Sequence, residues 1–414
     1  MRSVIPIEKI AIAGTIDVVK KILFRNLKLV DKDFKGHRDA MAFSSVDGRI
    51  TWIGAQSKIP KVFKSFKNVD LKKQLVFPSF IECHTHTVFA GSRAAEFEMR
   101  NGGVSYLEIA SRGGGILSTM TATRLTSKSK LRGLAQKRVD AFLRQGVSTL
   151  EIKSGYALDL KNEIKCLEVM RSLKGPRIVS TFLGAHALPS EFENHEKYLD
   201  YLVSQVLPVI KKRKLSQRVD IFLEANFFEK GVARKYLSAA AGLGFRTTIH
   251  ANQLSFSGGA EVAIELNSVS ADHVIHLNDQ HIQNFARSKT VAVLLPTADM
   301  YMKCQYPPAR KLLDAGARIA LATDFNPGSC PSQDLALVGL LARLEMKMTL
   351  PEVFTAYTKG AAQALSLEDE EGELAVGKLA NFICTEAELS DFFYSAGSTP
   401  EHRLFIRGNE QKSD

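Results

Sequence analysis

The chain is predicted to form an α/β fold, a (β/α)8 barrel of the TIM type, with a small β-sandwich domain built from both chain ends. Three observations predict it. From Pro78 onward, apolar strand-like runs alternate with amphipathic helical segments about every 25–35 residues, the rhythm of a parallel α/β sheet. Eight such strands can be counted, and most end in a polar, metal-competent side chain at the face where barrels of this kind place their chemistry. Both flanks, in contrast, read as short strands without intervening helices.

The first flank offers Lys21–Val30, then Met41–Gly54 folded on Asp47-Gly48, then Val69–Phe77. Asp-Gly between apolar runs signals a tight hairpin, because both central residues of such a turn take positive φ. The barrel strands are expected at Phe80–His86, Ser148–Ser154, Arg177–His186, Val219–Asn226, Phe245–Asn252, Ser268–Val274, Thr290–Leu295 and Arg318–Asp324. Between them lie helical patterns at Lys128–Gln145, Leu160–Leu173, His195–Lys212, Ala233–Gly242 and Ala309–Ala315. Strand texture returns at Gly377–Cys384 and His402–Arg407, which pair most simply with the first flank. The expected division is therefore 1–77 with 373–414 as the small domain and 78–372 as the catalytic barrel.

A chain of 414 residues, 45% hydrophobic and 24% charged, is long enough for a large barrel and shows no low-complexity tract. Cys83, Cys166, Cys304, Cys330 and Cys384 are odd in number and form no C-x-x-C pair, which favours reduced thiols in the cytoplasm over a disulfide framework. No apolar stretch approaches the ~20 residues of a membrane span, and Met1 to Lys21 lacks a signal-peptide pattern. The net charge of +11 comes from basic residues spread along solvent faces, as in Lys58–Lys73 and Lys211–Arg218, without aromatic interleaving, so nucleic acid is not an expected partner. Gly113-Gly114-Gly115 is not framed as a phosphate loop and reads as a tight substrate-side or interface turn.

The chemistry starts at His84-Thr85-His86. Residues i and i+2 of a strand share a side, so both imidazoles project together, as half a site for zinc or iron. Cys83 faces the other way and reads as a buried thiol. Later strands end in Gly184-Ala185-His186, Ile249-His250, Ala271-Asp272-His273 and Ala322-Thr323-Asp324. His84, His86, His250 and Asp324 supply three histidines and one aspartate, leaving room for water. A bound divalent cation lowers the pKa of such a water from about 16 towards 7. The fourth strand, Val219-Asp220-Ile221-Phe222-Leu223-Glu224, has no lysine of the kind that bridges binuclear sites, so one metal is expected. Lys153, on the second strand, reads as structural.

Five stretches resemble the amidohydrolase superfamily and, within it, the imidazolonepropionase family: His84 to Arg93, Arg112-Gly113-Gly114-Gly115-Ile116, Lys153-Ser154-Gly155-Tyr156, Phe182 to His186, and Ala322 to Ser329. The resemblance runs from about residue 75 to the C-terminus. It implies hydrolysis of 4-imidazolone-5-propanoate to N-formimidoyl-L-glutamate in histidine degradation. It places the metal on His84, His86, His250 and Asp324. It places substrate contacts on Arg93, Tyr156, His186, Gln253, Asn326, Gly328 and Ser329. Arg93 suits a carboxylate arm, which a planar guanidinium grips with two parallel hydrogen bonds; Tyr156 and His186 are expected to offer donors. His273 and Asp324 are expected to manage protons during attack on the ring carbonyl. A homodimer is implied by the family alone.

The chain departs from the commoner pattern at His250-Ala251-Asn252, where aspartate is familiar in place of Asn252, and at Lys378-Leu379-Ala380-Asn381-Phe382. If that aspartate oriented the metal histidine, metal affinity is expected to be lower here. Two rival functions share the barrel. Another cyclic-amide hydrolase or deaminase would be separated by rates on substrates with and without the propionate arm. An inactive binding barrel would be separated by metal analysis and turnover.

Overall fold

The structure, a computed structural model, describes residues 19–104, 108–109 and 114–412. Residues 1–18, 413–414 and the Arg112-Gly113 part of the glycine-rich motif lie outside the described residues.

The first flank holds β1 (Lys21–Val30), β2 (His37–Val46), β3 (Arg49–Ala55), β4 (Lys67–Asp70) and β5 (Leu75–Pro78). The Asp47-Gly48 turn joins β2 to β3 with φ of 49° and 80°. Glycine is needed there twice over, since a Cβ at position 48 would also lie 2.5 Å from Arg407 Cβ. The segment expected as one strand, Val69–Phe77, is two. Lys72 and Lys73 adopt φ of 52° and 61°, a left-handed step uncommon for such residues. The step lets the chain leave β1 at Arg25 and rejoin it at Lys28, with both pieces parallel to β1.

The barrel follows with β6 (Phe80–Glu82), β7 (Val147–Lys153), β8 (Arg177–Ala185), β9 (Arg218–Leu223), β10 (Arg246–Ala251), β11 (Ser270–His273), β12 (Val291–Leu294) and β13 (Ile319–Leu321). Each pairs in parallel with its neighbour in chain order. All eight expected strands are present, with shorter ladders than the sequence suggested. The first stops at Glu82, so His84 and His86 lie beyond it. There the ring of strands closes through a Thr85–Phe325 bridge, with the His86 amide donating to Phe325 O at 2.8 Å and the Asp324 amide to His84 O at 3.1 Å. Metal-type residues therefore sit at the seam of the barrel. Helices 128–143, 160–171, 230–242 and 309–314 match their expected positions, and 195–212 is helical with a π-turn at 202–206. Arg218, expected on a solvent face, is buried and donates to Ala364 O.

The tail supplies β14 (Phe382–Thr385), β15 (Arg403–Ile406) and β16 (Asn409–Gln411), with β14 antiparallel to β5. Both chain ends thus share one hydrogen-bonded sheet, ordered β16-β15-β14-β5-β1-β2-β3 with β4 also on β1. Two strands separate β1 from β15, about 14 Å along a flat sheet. Phe24 and Phe405 nevertheless pack with centroids 5.7 Å apart, as do Phe24–Phe382 at 5.1 Å and Phe43–Phe382 at 5.2 Å. The sheet is curled onto its own aromatic core, which is how a single sheet makes the two layers expected of the small domain.

Candidate metal centre and substrate cleft

Backbone hydrogen bonds position the first ligands. The buried Glu82 carboxylate accepts the amides of His84 and Thr323, each at 3.1 Å, tying the ends of β6 and β13 together. Burial pushes its carboxyl up to about 8. Beyond it, His84 Nε2 and His86 Nε2 each lie 3.4 Å from Asp324 Oδ1. The His84 ring is 4.7 Å from that of His250 and 5.7 Å from that of His273, centre to centre. Two overlapping triads result, His84/His86/Asp324 and His84/His250/His273, each with its candidate ligand atoms within 4.8 Å of one another.

The donor set fits a divalent cation. His84 Nε2, His250 Nε2 and Asp324 Oδ1 are all buried and lack hydrogen-bond partners. An unsatisfied buried polar atom costs about 1–3 kcal/mol, and three that converge are the signature of a cation site. Electrostatics separate the group members. Burial holds His86 down to about 4 and His273 down to about 3. Burial and Lys153 also oppose a charge on His84, but the carboxylates of Asp272 and Asp324 outweigh them and raise it to about 9. Burial opposes ionisation of Asp324 as well, yet the close His84 and His86 imidazoles keep the carboxylate well below its ordinary range.

Two carboxylates missed by the sequence reading stand behind the histidines. Asp272 Oδ2 is 2.7 Å from His84 Nδ1, and Asp220 Oδ2 is 3.1 Å from His250 Nδ1. The first is a hydrogen bond and the second a close ion-pair contact; both engage the outer nitrogen, and Nε2 of each ring has no hydrogen-bond partner. The sequence signal was present, since Asp272 precedes His273 on the same strand. Strand alternation alone assigns those two to opposite faces. His273, at φ 75°, breaks the alternation, and so both residues serve one site. Asp324 is also left-handed, at φ 54°. Asn252 does not orient His250. Its amide donates to His276 O at 2.9 Å and its oxygen accepts the Ala260 amide at 3.0 Å, so it ties down the loop after β10.

The substrate side is a cleft of about 760 Å³. His86, Arg93, Tyr156, His186, His250, Gln253, His273, Asp324, Asn326 and Ser329 line it. Of the expected site residues only His84, which is fully enclosed, and Gly328, which backs onto Arg93, do not line it. Arg93 Nε donates to Glu96 Oε2 at 2.7 Å, while Glu96 Oε1 accepts the Gly115 amide at 3.0 Å. Gly114 and Gly115, the described glycines of the glycine-rich motif, therefore border the cleft. Tyr156 sits on a loop whose Gly155, Ala157 and Leu158 amides all donate to buried Glu163, at 2.9–3.2 Å. His186 Nδ1 lies 3.0 Å from Gly155 O. This contact places the proton on Nδ1 and leaves Nε2 as an acceptor in the neutral ring, where a donor was expected. Glu224, also missed, accepts the Leu254 amide at 2.9 Å and holds the Gln253 loop. The Asn326 side chain donates to Asp324 O at 2.7 Å and accepts the Gly328 and Ser329 amides at 2.8 Å, so it shapes its own loop. Cys83 is buried against Leu321 O, as its strand direction implied.

An amidohydrolase family model matches residues 234–410. Among solved structures, a zinc-bound adenosine deaminase from Xanthomonas campestris superposes with a TM-score of 0.71 at 15% identity, covering 94% of this chain and 92% of that one. A variant atrazine chlorohydrolase from Arthrobacter aurescens, complexed with zinc and atraton, gives 0.69 at 16% identity, covering 94% of each chain. At that identity the likeness establishes the fold alone. Sequence goes further. The imidazolonepropionase of Bdellovibrio bacteriovorus is 54% identical over 365 residues, 87% of this chain and 86% of that protein. The imidazolonepropionase of Phocaeicola vulgatus is 41% identical over 343 residues, covering 81% and 83%. Identity of this extent, over more than four-fifths of the chain, exceeds what a shared fold requires, and the chain belongs to the imidazolonepropionase family of amidohydrolases.

Proposed function

We propose that the protein opens the ring of 4-imidazolone-5-propanoate with water to give N-formimidoyl-L-glutamate, a hydrolysis within histidine degradation. The observation that carries this reading is one cleft that joins Arg93, suited to a carboxylate arm, to His250 and Asp324, with the enclosed His84 ring directly beside them. The names of the 54% and 41% identical relatives support it.

His84, His86, His250 and Asp324 would hold one divalent cation, because His84 belongs to both triads and two ions cannot share it. Zinc and ferrous iron both suit this nitrogen-rich set. When bound, the cation acidifies a water and polarises the ring carbonyl. Arg93 grips the propionate with its guanidinium fork, and Tyr156, Gln253 and the amides of the 326–329 loop orient the ring. His186 accepts a hydrogen bond from a ring N–H through Nε2. As water oxygen bonds to the carbonyl carbon, Asp324 takes the water's proton on one carboxylate oxygen. It passes that proton to the ring nitrogen as the carbon–nitrogen bond breaks. His273, kept neutral by burial, steadies charge on the carbonyl oxygen.

The catalytic unit in this reading is the barrel of residues 78–372, supported by the sheet of both chain ends, and it works as a cytoplasmic homodimer. Five free cysteines fit a reducing compartment, and no helix of the described residues is long and apolar enough to cross a membrane. The test is to mix purified protein with enzymatically generated imidazolone propionate and follow its ultraviolet absorbance. Loss of absorbance with formation of formimidoylglutamate is expected. A metal-replete protein that leaves the absorbance unchanged overturns the reading.

A further inference from the structure

Directly behind the ligands lies a layer of charge. In a closed eight-stranded barrel, alternate strands contribute side chains to each interior layer, and those layers are normally filled by branched apolar residues. Here the second, fourth and sixth barrel strands contribute Lys153, Asp220 and Asp272. All three are essentially inaccessible. Lys153 Nζ lies 2.9 Å from Asp220 Oδ2 and 3.2 Å from Asp272 Oδ2, with Glu151 Oε2 at 3.1 Å. Those same two aspartate oxygens meet His250 Nδ1 at 3.1 Å and His84 Nδ1 at 2.7 Å. One ammonium thus anchors both carboxylates that orient metal histidines from opposite parts of the barrel.

We propose that Lys153 is a positioning residue for the metal centre, acting through Asp220 and Asp272 to hold His250 and His84 in one ligating geometry. A buried charge that merely filled the barrel would be poorly chosen, since a hydrophobic residue of similar volume commonly serves a core as well or better. The placement accounts for the choice. An aspartate swung away from its histidine frees the imidazole to rotate, and Lys153 fixes both aspartates from the barrel axis with two separate contacts. Its three carboxylate neighbours leave no other cation within reach of both Asp220 and Asp272 among the described contacts. Loss of the ammonium therefore loosens two ligands at once, whereas loss of either aspartate loosens one.

The inference rests on the metal-site reading, and the experiment separates the two. Apo protein is titrated with cobalt(II), following both affinity and the visible d–d spectrum, for wild type, His84→Ala, Lys153→Met, Asp220→Asn and Asp272→Asn. Wild type that binds no cobalt, or His84→Ala that binds it equally well, removes the metal-site reading itself. If that reading stands, folded Lys153→Met is expected to bind cobalt on the order of 10- to 100-fold more weakly, with an altered spectrum. Folded Lys153→Met with affinity within about twofold of wild type and the same spectrum overturns the proposal. Should Lys153→Met fail to fold, the single aspartate variants decide. Weaker binding with a changed spectrum in both supports it, and wild-type affinity in both overturns it.

Discussion

Gly328 and Arg93 are packed so closely that a Cβ at position 328 would lie 1.9 Å from Arg93 Nη1 and 2.4 Å from its Cζ. The glycine here is a matter of space, because its backbone lies outside the left-handed region. The guanidinium lies against that bare backbone while Glu96 holds its Nε. Gly328→Ala should therefore displace Arg93 without unfolding the loop. The expected result is a fall in kcat/KM on the order of 10-fold, with thermal stability little changed. Arg93→Ala should lose on the order of 10- to 100-fold, the value of a charge-assisted contact of about 1.5–3 kcal/mol. Arg93→Lys should rescue little. Because both substitutions act on one guanidinium, the double variant should be no worse than Arg93→Ala. Additive losses in a steady-state comparison would show that Gly328 acts by another route.

His273 is buried, left-handed at φ 75°, and lacks a hydrogen-bond partner on Nδ1. A packing histidine would be paired and relaxed, so the strain points to chemistry. His273→Ala should keep its fold and its metal and lose most of kcat. Near-normal turnover in a metal-replete variant would exclude a catalytic role.

Elemental analysis should find about one divalent ion per chain, because His84 is shared between the two candidate triads. His84→Ala and His250→Ala should each lose the ion. Removing it with a chelator should abolish turnover and lower the melting temperature, since a cation at 1,000 times its Kd stabilises the folded state by about 4 kcal/mol. Two ions per chain, or full occupancy in either alanine variant, would sink the assignment.

Asn252→Asp restores the commoner residue after the metal histidine. Its side chain contacts the 260 and 276 backbone, while Asp220 supports His250. Metal affinity should stay within about twofold of wild type. A carboxylate facing the His276 carbonyl loses a hydrogen bond, so stability should fall by about 1 kcal/mol. A tenfold gain in metal affinity in a chelator competition would restore the orienting role that the sequence pattern suggested.

The barrel, all eight of its strands and the ligand-type residues at or just beyond their ends were legible in the chain. Those follow from local rules, the period-two alternation of strands and the repeat of strand and helix, which need only neighbouring residues. The sequence also marked the hairpin at Asp47-Gly48, where chain chemistry leaves one economical turn. Tertiary structure decided what lies across the barrel. His84 and Asp272 are 188 residues apart and meet at 2.7 Å only because closure of the barrel sends side chains of the first and sixth strands into one shared interior. The same closure made Lys153 the common partner of two distant aspartates, and the left-handed backbone at His273 turned that ring towards the site against the alternation. The curl of the terminal sheet was equally hidden, since hydrogen-bonded register and core packing, not strand propensity, fix which aromatic faces meet.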